Sequence, residues 1–285
     1  MHRKSSAFTL IELLVVIAII SMLLAIIAPS LKLAQERAQM IICRANLRSY
    51  GLATNTYVND NNDTYMSDCW TALWDGDNKP GLPDIFLQCQ WHDARVSPDN
   101  TPQRAGVLWA YMNAQKAHMC PTFKRFARVH GANHPQHNNN PVNVPIDPQY
   151  AFSLNVFLGS LKGTGVPWGV KKESEVVNPG ETLVWVEETI WLIPGWAGWT
   201  LNDTCFFSRH DDDPTQWGDF IATYHSTSLA KPEDGKGEAV FVDGHVELLD
   251  PYYVVNLAGG KQARAGFIHS WPLKGKLSPT IPYVP

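Results

Sequence analysis

Residues 8–28 read FTLIELLVVIAIISMLLAIIA, and Glu12 is the only ionisable side chain among them. As an α-helix rising 1.5 Å per residue, this stretch spans about 31 Å, close to the ~30 Å hydrocarbon core of a bilayer. It is long enough to cross a membrane once. His2, Arg3 and Lys4 stand just ahead of it, and no later stretch resembles it. A secretory signal peptide has a shorter apolar core closed by a small-residue cleavage site. Here the helical pattern continues instead.

Pro29 lacks the N–H that would bond the Ala25 carbonyl, which predicts a kink or local loosening there. Leu31, Ala34, Ala38, Ile41, Ala45, Leu52 and Thr56 then recur at steps of three, four or seven, with Lys32, Glu36, Gln39 and Asn46 directed elsewhere. That spacing predicts an amphipathic stripe. One helix is expected from about Thr9 to about Tyr57, its first half in lipid and its second half docked on a soluble domain. The polar run NDNND at 59–63 ends it.

Glu12 is the anomaly in this helix. A carboxylate deep in a bilayer costs on the order of 2.5–3.5 kcal/mol, so it needs a partner, a function or access to the interface. Cutting the peptide bond between Ala7 and Phe8 would create such a partner, because Phe8 would then carry a positive α-amine. The same amine on a neighbouring chain would set the stagger between packed helices. The stretch RKSSAFTLIELLVVIAII resembles the N-terminal signal of type IV prepilins and type II secretion pseudopilins: a short basic leader, a small residue, then Phe, with Glu fifth and Pro twenty-second after the cut. Phe8, Glu12 and Pro29 hold those places, while Ala7 stands where the family usually has Gly. The resemblance implies cleavage after Ala7 by a prepilin peptidase and methylation of the new amine. It also implies assembly with other pilin-like subunits and a single-pass inner-membrane anchor. The N-terminus would face the cytoplasm and the C-terminal domain would lie in the periplasm or on the surface. Charge alone leaves the orientation open, since Lys32, Arg37, Arg44 and Arg48 follow the span.

Across 285 residues the chain is 45% apolar and 18% charged, with a formal charge of −4. Enough apolar surface exists to bury a core, and a negative chain gains little on phosphate backbones, so no nucleic-acid partner is expected. Past Asn59, short apolar runs alternate with Pro, Gly, Asn and Asp, the pattern of strands and loops. Residues 130–148 read as a surface loop. ETLVWVE at 181–187 and EAVFVDGHVELL at 238–249 are the best strand candidates. Asp243-Gly244 between apolar runs predicts a hairpin with a two-residue type I′ turn. FVDGHVELL is also similar to a His, nine residues, Asp-Gly segment near the end of many prepilin-like proteins with large soluble domains, although seventeen residues, not nine, lie between His225 and Asp243. ICRANLRSYGLATNTYVNDNN, CPTF, YAFSLNVFLG and VVNPGETLVWVEE fit the same group.

Sites for chemistry are sparse. His130, His134 and His137 lie in an Asn/Pro loop that offers nothing to hold them around a metal, and His118 adds nothing to them, so no metal site is assigned. Asp60, Asn61 and Asp63, Asp75 and Asp77, and Asp211 to Asp213 are oxygen-rich runs that read as solvated loops. Calcium, which pseudopilins as a family bind in C-terminal loops, is the minority reading, and no cofactor is assigned. No nucleophile elbow, phosphate loop or metalloprotease motif is present, and Glu187 and Glu188, adjacent in a strand, would face opposite ways. No enzymatic role is expected. Trp196 and Trp199, among eleven tryptophans, leave open a membrane-anchored carbohydrate-binding protein as the alternative. Of the five cysteines, Cys43 and Cys120 are a possible disulfide joining helix to domain.

The expected fold is α+β: a long N-terminal helix packed on an antiparallel sheet with long loops, pilin-like. The expected organisation is a leader at 1–7, a membrane and assembly helix at 8–28, its amphipathic continuation at 29–58, and an extracytoplasmic β-rich domain at 59–285.

Overall fold

The computed structural model describes residues 9–66, 106–112, 116–130, 150–159, 169–189, 205–208, 218–256, 262–264, 269 and 272. The chain divides into two compact units, residues 1–39 and 40–285. Helix α1, Leu10–Asp60, runs through both without interruption, Pro29 included. Thr9 and Glu12 start it with a capping box: Glu12 Oε2 accepts from Thr9 N at 2.9 Å, and Glu12 N donates to Thr9 Oγ1 at 3.3 Å. Asn62 and Asp63, both at positive φ, turn the chain just past its end. Asn and Asp tolerate that conformation, which is why the NDNND run stops the helix.

In the first unit, the large apolar side chains from Leu10 to Ile27 are exposed. In the second, α1 buries Cys43, Leu47, Tyr50, Gly51, Ala53, Thr54, Tyr57 and Val58. This corrects the expected stripe: Leu31, Ile41 and Leu52 are exposed, as are Ala34, Ala38, Ala45 and Thr56. The docked face is made of small and aromatic residues, which a search for aliphatic periodicity passes over.

Five strands form the main sheet: β1 Phe152–Asn155, β2 Leu183–Glu187, β3 Cys205–Phe206, β4 Gly237–Phe241 and β5 Val246–Leu249, in spatial order β3-β1-β2-β4-β5. The architecture is α+β and pilin-like, as expected. The sheet is mixed, however, because β1 and β3 run parallel while the other pairs are antiparallel. A separate antiparallel pair joins β6 Val254–Asn256 to β7 Gln262–Arg264. A short helix, α2 Pro121–His130, follows Cys120.

β1, β2 and β4 are buried along their whole length. One face of the sheet, with Phe152, Leu154, Trp185 and Val240, shares a core with Cys43, Leu47 and Tyr50 of α1. A second core on the other face gathers Leu183, Val186, Phe206, Ile221, Ala239 and Phe241. Strands covered on both sides lose the alternation of a half-exposed sheet, which explains why ETLVWVE reads as a nearly continuous apolar run.

The hairpin forms at the expected place with a different turn. Gly244 N donates to Phe241 O and Phe241 N donates to His245 O, both at 2.9 Å. Gly244 has φ 88°, whereas Asp243 is not at positive φ. The loop is therefore three residues, a turn closed by a left-handed glycine, and not a type I′ turn, which needs positive φ at both central positions.

Candidate functional site

Two features carry functional chemistry, one in each unit. The first is the start of α1. Glu12 is held by its own helix, since Thr9 Oγ1 donates to Glu12 Oε2 at 2.7 Å beside the backbone bond from Thr9 N. The Thr-x-x-Glu spacing announces this cap in the sequence, a partner for Glu12 besides the Phe8 amine or the interface expected from the sequence. The cap places the carboxylate at the N-terminal end of the helix, where the macrodipole favours negative charge. From there on, α1 contains an 18-residue window with mean hydropathy 3.1, none of it buried. So large an exposed apolar surface is not sustained by a lone chain in water and must be covered by lipid or by other helices. Ala7 and Phe8 lie outside the described residues, as do Trp196 and Trp199, Asp75 and Asp77, and Asp211 to Asp213.

The second feature is buried in the domain. Cys43 on α1 and Cys120 at the start of α2 form a disulfide, with Cα atoms 4.7 Å apart across a sequence separation of 77. Against Cys120 Sγ, at 3.7 Å, lies Nε2 of His225, which also meets Glu187 Oε2 at 2.9 Å. Glu187 Oε2 accepts the backbone N–H of Glu238 at 2.9 Å. Glu238 in turn pairs through Oε1 with Arg44 Nη2 of α1 at 2.9 Å and with its Nε at 3.0 Å. A chain of charged groups thus crosses from the helix to the disulfide through the sheet. Arg44 reaches solvent; Glu187, Glu238 and His225 do not.

These contacts shift the pKa values of His225 and Glu238. Burial lowers the pKa of His225, but the charge and hydrogen bond of Glu187, joined by Glu238, outweigh it and hold the imidazole above its ordinary value. Burial first, and the neighbouring Glu187 second, push Glu238 up to about 7 against the pull of His225 and Arg44. Burial of Glu187 as an inward-facing acid is the feature sequence reasoning missed; it was set aside there as half of an unsuitable pair with Glu188. Both glutamates are fully buried.

The remaining sites are placed as follows. His225 faces Glu187 and Cys120, while Asp243 Oδ1 meets His245 Nδ1 at 2.6 Å, so the Asp-Gly turn and the upstream histidine serve different places. The His245 ring stacks on Phe241 at 4.3 Å. Asp63 accepts the Ser174 hydroxyl and, at 3.2 Å, its N–H, tying the end of α1 to the loop before β2. His118 is buried between the rings of Trp109 and Tyr150. Of the histidine loop, His134 and His137 lie outside the described residues.

No curated protein and no solved structure matches the chain. Residues 2–28 match the family model described as the prokaryotic N-terminal methylation motif. That motif leads directly into a long, exposed, apolar helix, an N-terminal arrangement consistent with a type IV pilin-like protein.

Proposed function

We propose that the chain is a structural, non-enzymatic pseudopilin-like subunit of a type II secretion or type IV pilus-like assembly. A prepilin peptidase would cleave it between Ala7 and Phe8, and the new amine would be methylated. The observation that carries this reading is the bare apolar length of α1 directly behind the methylation motif, with Glu12 as its single charge. Before assembly, lipid covers this surface as a single-pass inner-membrane anchor. In the assembly, the same surface meets neighbouring subunits. There the α-amine of a neighbour's Phe8 competes with Thr9 for the Glu12 carboxylate, exchanging a neutral donor for a charged one. The buried disulfide supports an oxidising, extracytoplasmic location for the domain, in the periplasm or on the surface.

N-terminal sequencing of protein recovered from membranes tests the processing step: the expected first residue is methylated Phe8. A chain still beginning at Met1, or one found free of the membrane without its apolar stem, refutes the reading. The Glu12→Ala variant is expected to insert into membranes normally yet be missing from sheared filaments or crosslinked pseudopilin complexes. Its recovery there at wild-type levels would remove the role assigned to Glu12.

A further inference from the structure

Cys43, Cys120, His225 and Glu187 come from four separate parts of the chain: α1, the residue before α2, the segment that bridges to Lys236, and the end of β2. One ligand atom from each lies within 4.8 Å of the others, and all four residues are buried. We propose that, once the disulfide is reduced, these four residues form a tetrahedral site for a zinc-class divalent cation, so that a metal ion replaces the disulfide as the link between helix and sheet.

The donor set fits that class. Two thiolates with an imidazole suit Zn2+, a carboxylate is an accepted fourth ligand, and an all-oxygen cation such as Ca2+ has no use for sulfur. Geometry supports it as well. Around a tetrahedral Zn2+, a sulfur and an imidazole nitrogen stand about 3.6 Å apart, given metal bonds of about 2.3 and 2.1 Å. His225 Nε2 and Cys120 Sγ already stand 3.7 Å apart. The same Nε2 also faces Glu187, so one imidazole atom meets both Cys120 and the carboxylate. The surroundings are prepared for it. Phe123 N, in the first turn of α2, points at Cys120 Sγ from 3.5 Å, and a sulfur at a helix N-terminus is held toward thiolate. The Glu238 N–H orients Glu187 through Oε2, as outer partners orient metal ligands.

Two bare thiolates beside Glu187 would add buried negative charge that His225, and Arg44 farther out, do not match. A divalent cation supplies the missing charge. In balance, a dithiol reductant delivers two electrons and two protons to the Cys43–Cys120 bond and leaves as its own disulfide. The cation then displaces both thiol protons and the proton that His225 Nε2 shares with Glu187, all three leaving to solvent.

The test uses the full chain in detergent, reduced with a phosphine and freed of metal, with Co2+ as the spectroscopic probe and Zn2+ as competitor. The expected result is one Co2+ per chain with the visible bands of tetrahedral thiolate coordination, abolished by Zn2+ and absent from the oxidised protein. Zn2+ should also protect Cys43 and Cys120 from alkylation, read by peptide mapping so that the other cysteines do not confuse the result. His225→Ala should weaken Co2+ binding by about tenfold or more. Two outcomes overturn the proposal: reduced wild-type protein without tetrahedral bands, or His225→Ala binding Co2+ as tightly as wild type. Should His225→Ala fail to fold, the wild-type protein decides. Zn2+ that protects both thiols while the near-UV circular dichroism of the fold is kept or regained sustains the site, and Zn2+ that leaves them reactive refutes it.

Discussion

The indole N–H of Trp185 on β2 donates to Thr54 Oγ1 on α1 at 2.8 Å, inside a core that is closed to water at both residues. Thr54 Oγ1 also donates to Tyr50 O at 2.9 Å, so the hydroxyl relays the helix backbone to the strand. Tyr50 packs edge-on against the same indole at 4.9 Å. Replacing Thr54 by Val keeps the shape and removes the acceptor. An unpaired buried donor costs about 1–3 kcal/mol, and denaturant unfolding of the full chain in detergent is expected to show a loss in that range. Trp185→Phe in the Thr54→Val background should recover part of the polar penalty, seen as a non-zero coupling in the double-mutant cycle.

Gly51 brings α1 close against the sheet. A Cβ there would lie 2.7 Å from Val240 Cγ2 on β4, a side chain that is itself fully buried. Alanine would gain about 1 kcal/mol of helix propensity. Against this, overpacking a filled core costs about 1–3 kcal/mol. Val240 is fully buried, so Gly51→Ala is expected to destabilise, and adding Val240→Ala should relieve the clash. A Gly51→Ala protein more stable than wild type would show that the helix can move off the sheet at no cost.

Gly244 isolates a backbone effect from a packing one. It sits at φ 88°, and nothing lies within 4 Å of where a Cβ would stand. Gly244→Ala therefore meets no clash and pays only the left-handed conformation, about 1–2 kcal/mol. Asn tolerates that region better, and Gly244→Asn should fall between wild type and Gly244→Ala in thermal unfolding. Equal stability for all three would mean that the hairpin loop relaxes to another turn.

Patterns of apolar and turn residues foretell what depends on local chemistry. The bilayer-length run, the helix stop at Asn62 and Asp63, and the glycine of the β4–β5 hairpin follow from short-range propensities that neighbours do not override. The docked face of α1 was less legible, because Gly51 and Thr54 are buried for their fit against Val240 and Trp185, and neither residue signals apolarity. Least legible was the cluster around His225. Its members are spread from Arg44 to Glu238, and only tertiary contact turns Glu187 from a strand-end carboxylate into the neutralising partner of a buried imidazole. The Cys43–Cys120 bridge was visible as one possible pairing, but choosing it required the helix and the start of α2 to meet.

Protonation of that cluster gives the fold a pH dependence of definite sign. Glu238 rises from 4.5 to about 7 on folding, through burial and the charge of Glu187, and His225 stands above 6.5 because Glu187 and Glu238 outweigh its burial. In both cases the folded state holds a proton that the unfolded chain releases earlier. Their contribution is therefore complete at low pH, below 4.5 for Glu238 and below 6.5 for His225, and is lost as pH rises through the folded values. Arg44, paired with Glu238, moderates the loss without reversing it. Asp63 acts in the opposite sense: its pKa is lowered, first by the Ser174 hydroxyl, so its contribution disappears only as pH falls below 3.8. Glu173, raised chiefly by burial, acts in the same sense as the cluster, and between pH 5 and pH 8 the Tm of the full chain in detergent is expected to fall by an amount on the order of several degrees. Glu238→Gln keeps an acceptor for Arg44 and cannot ionise, so its Tm should decline less across the same interval. A wild-type Tm that rises from pH 5 to pH 8, or a Glu238→Gln profile parallel to it, would show that Glu238 is already ionised at the lower pH.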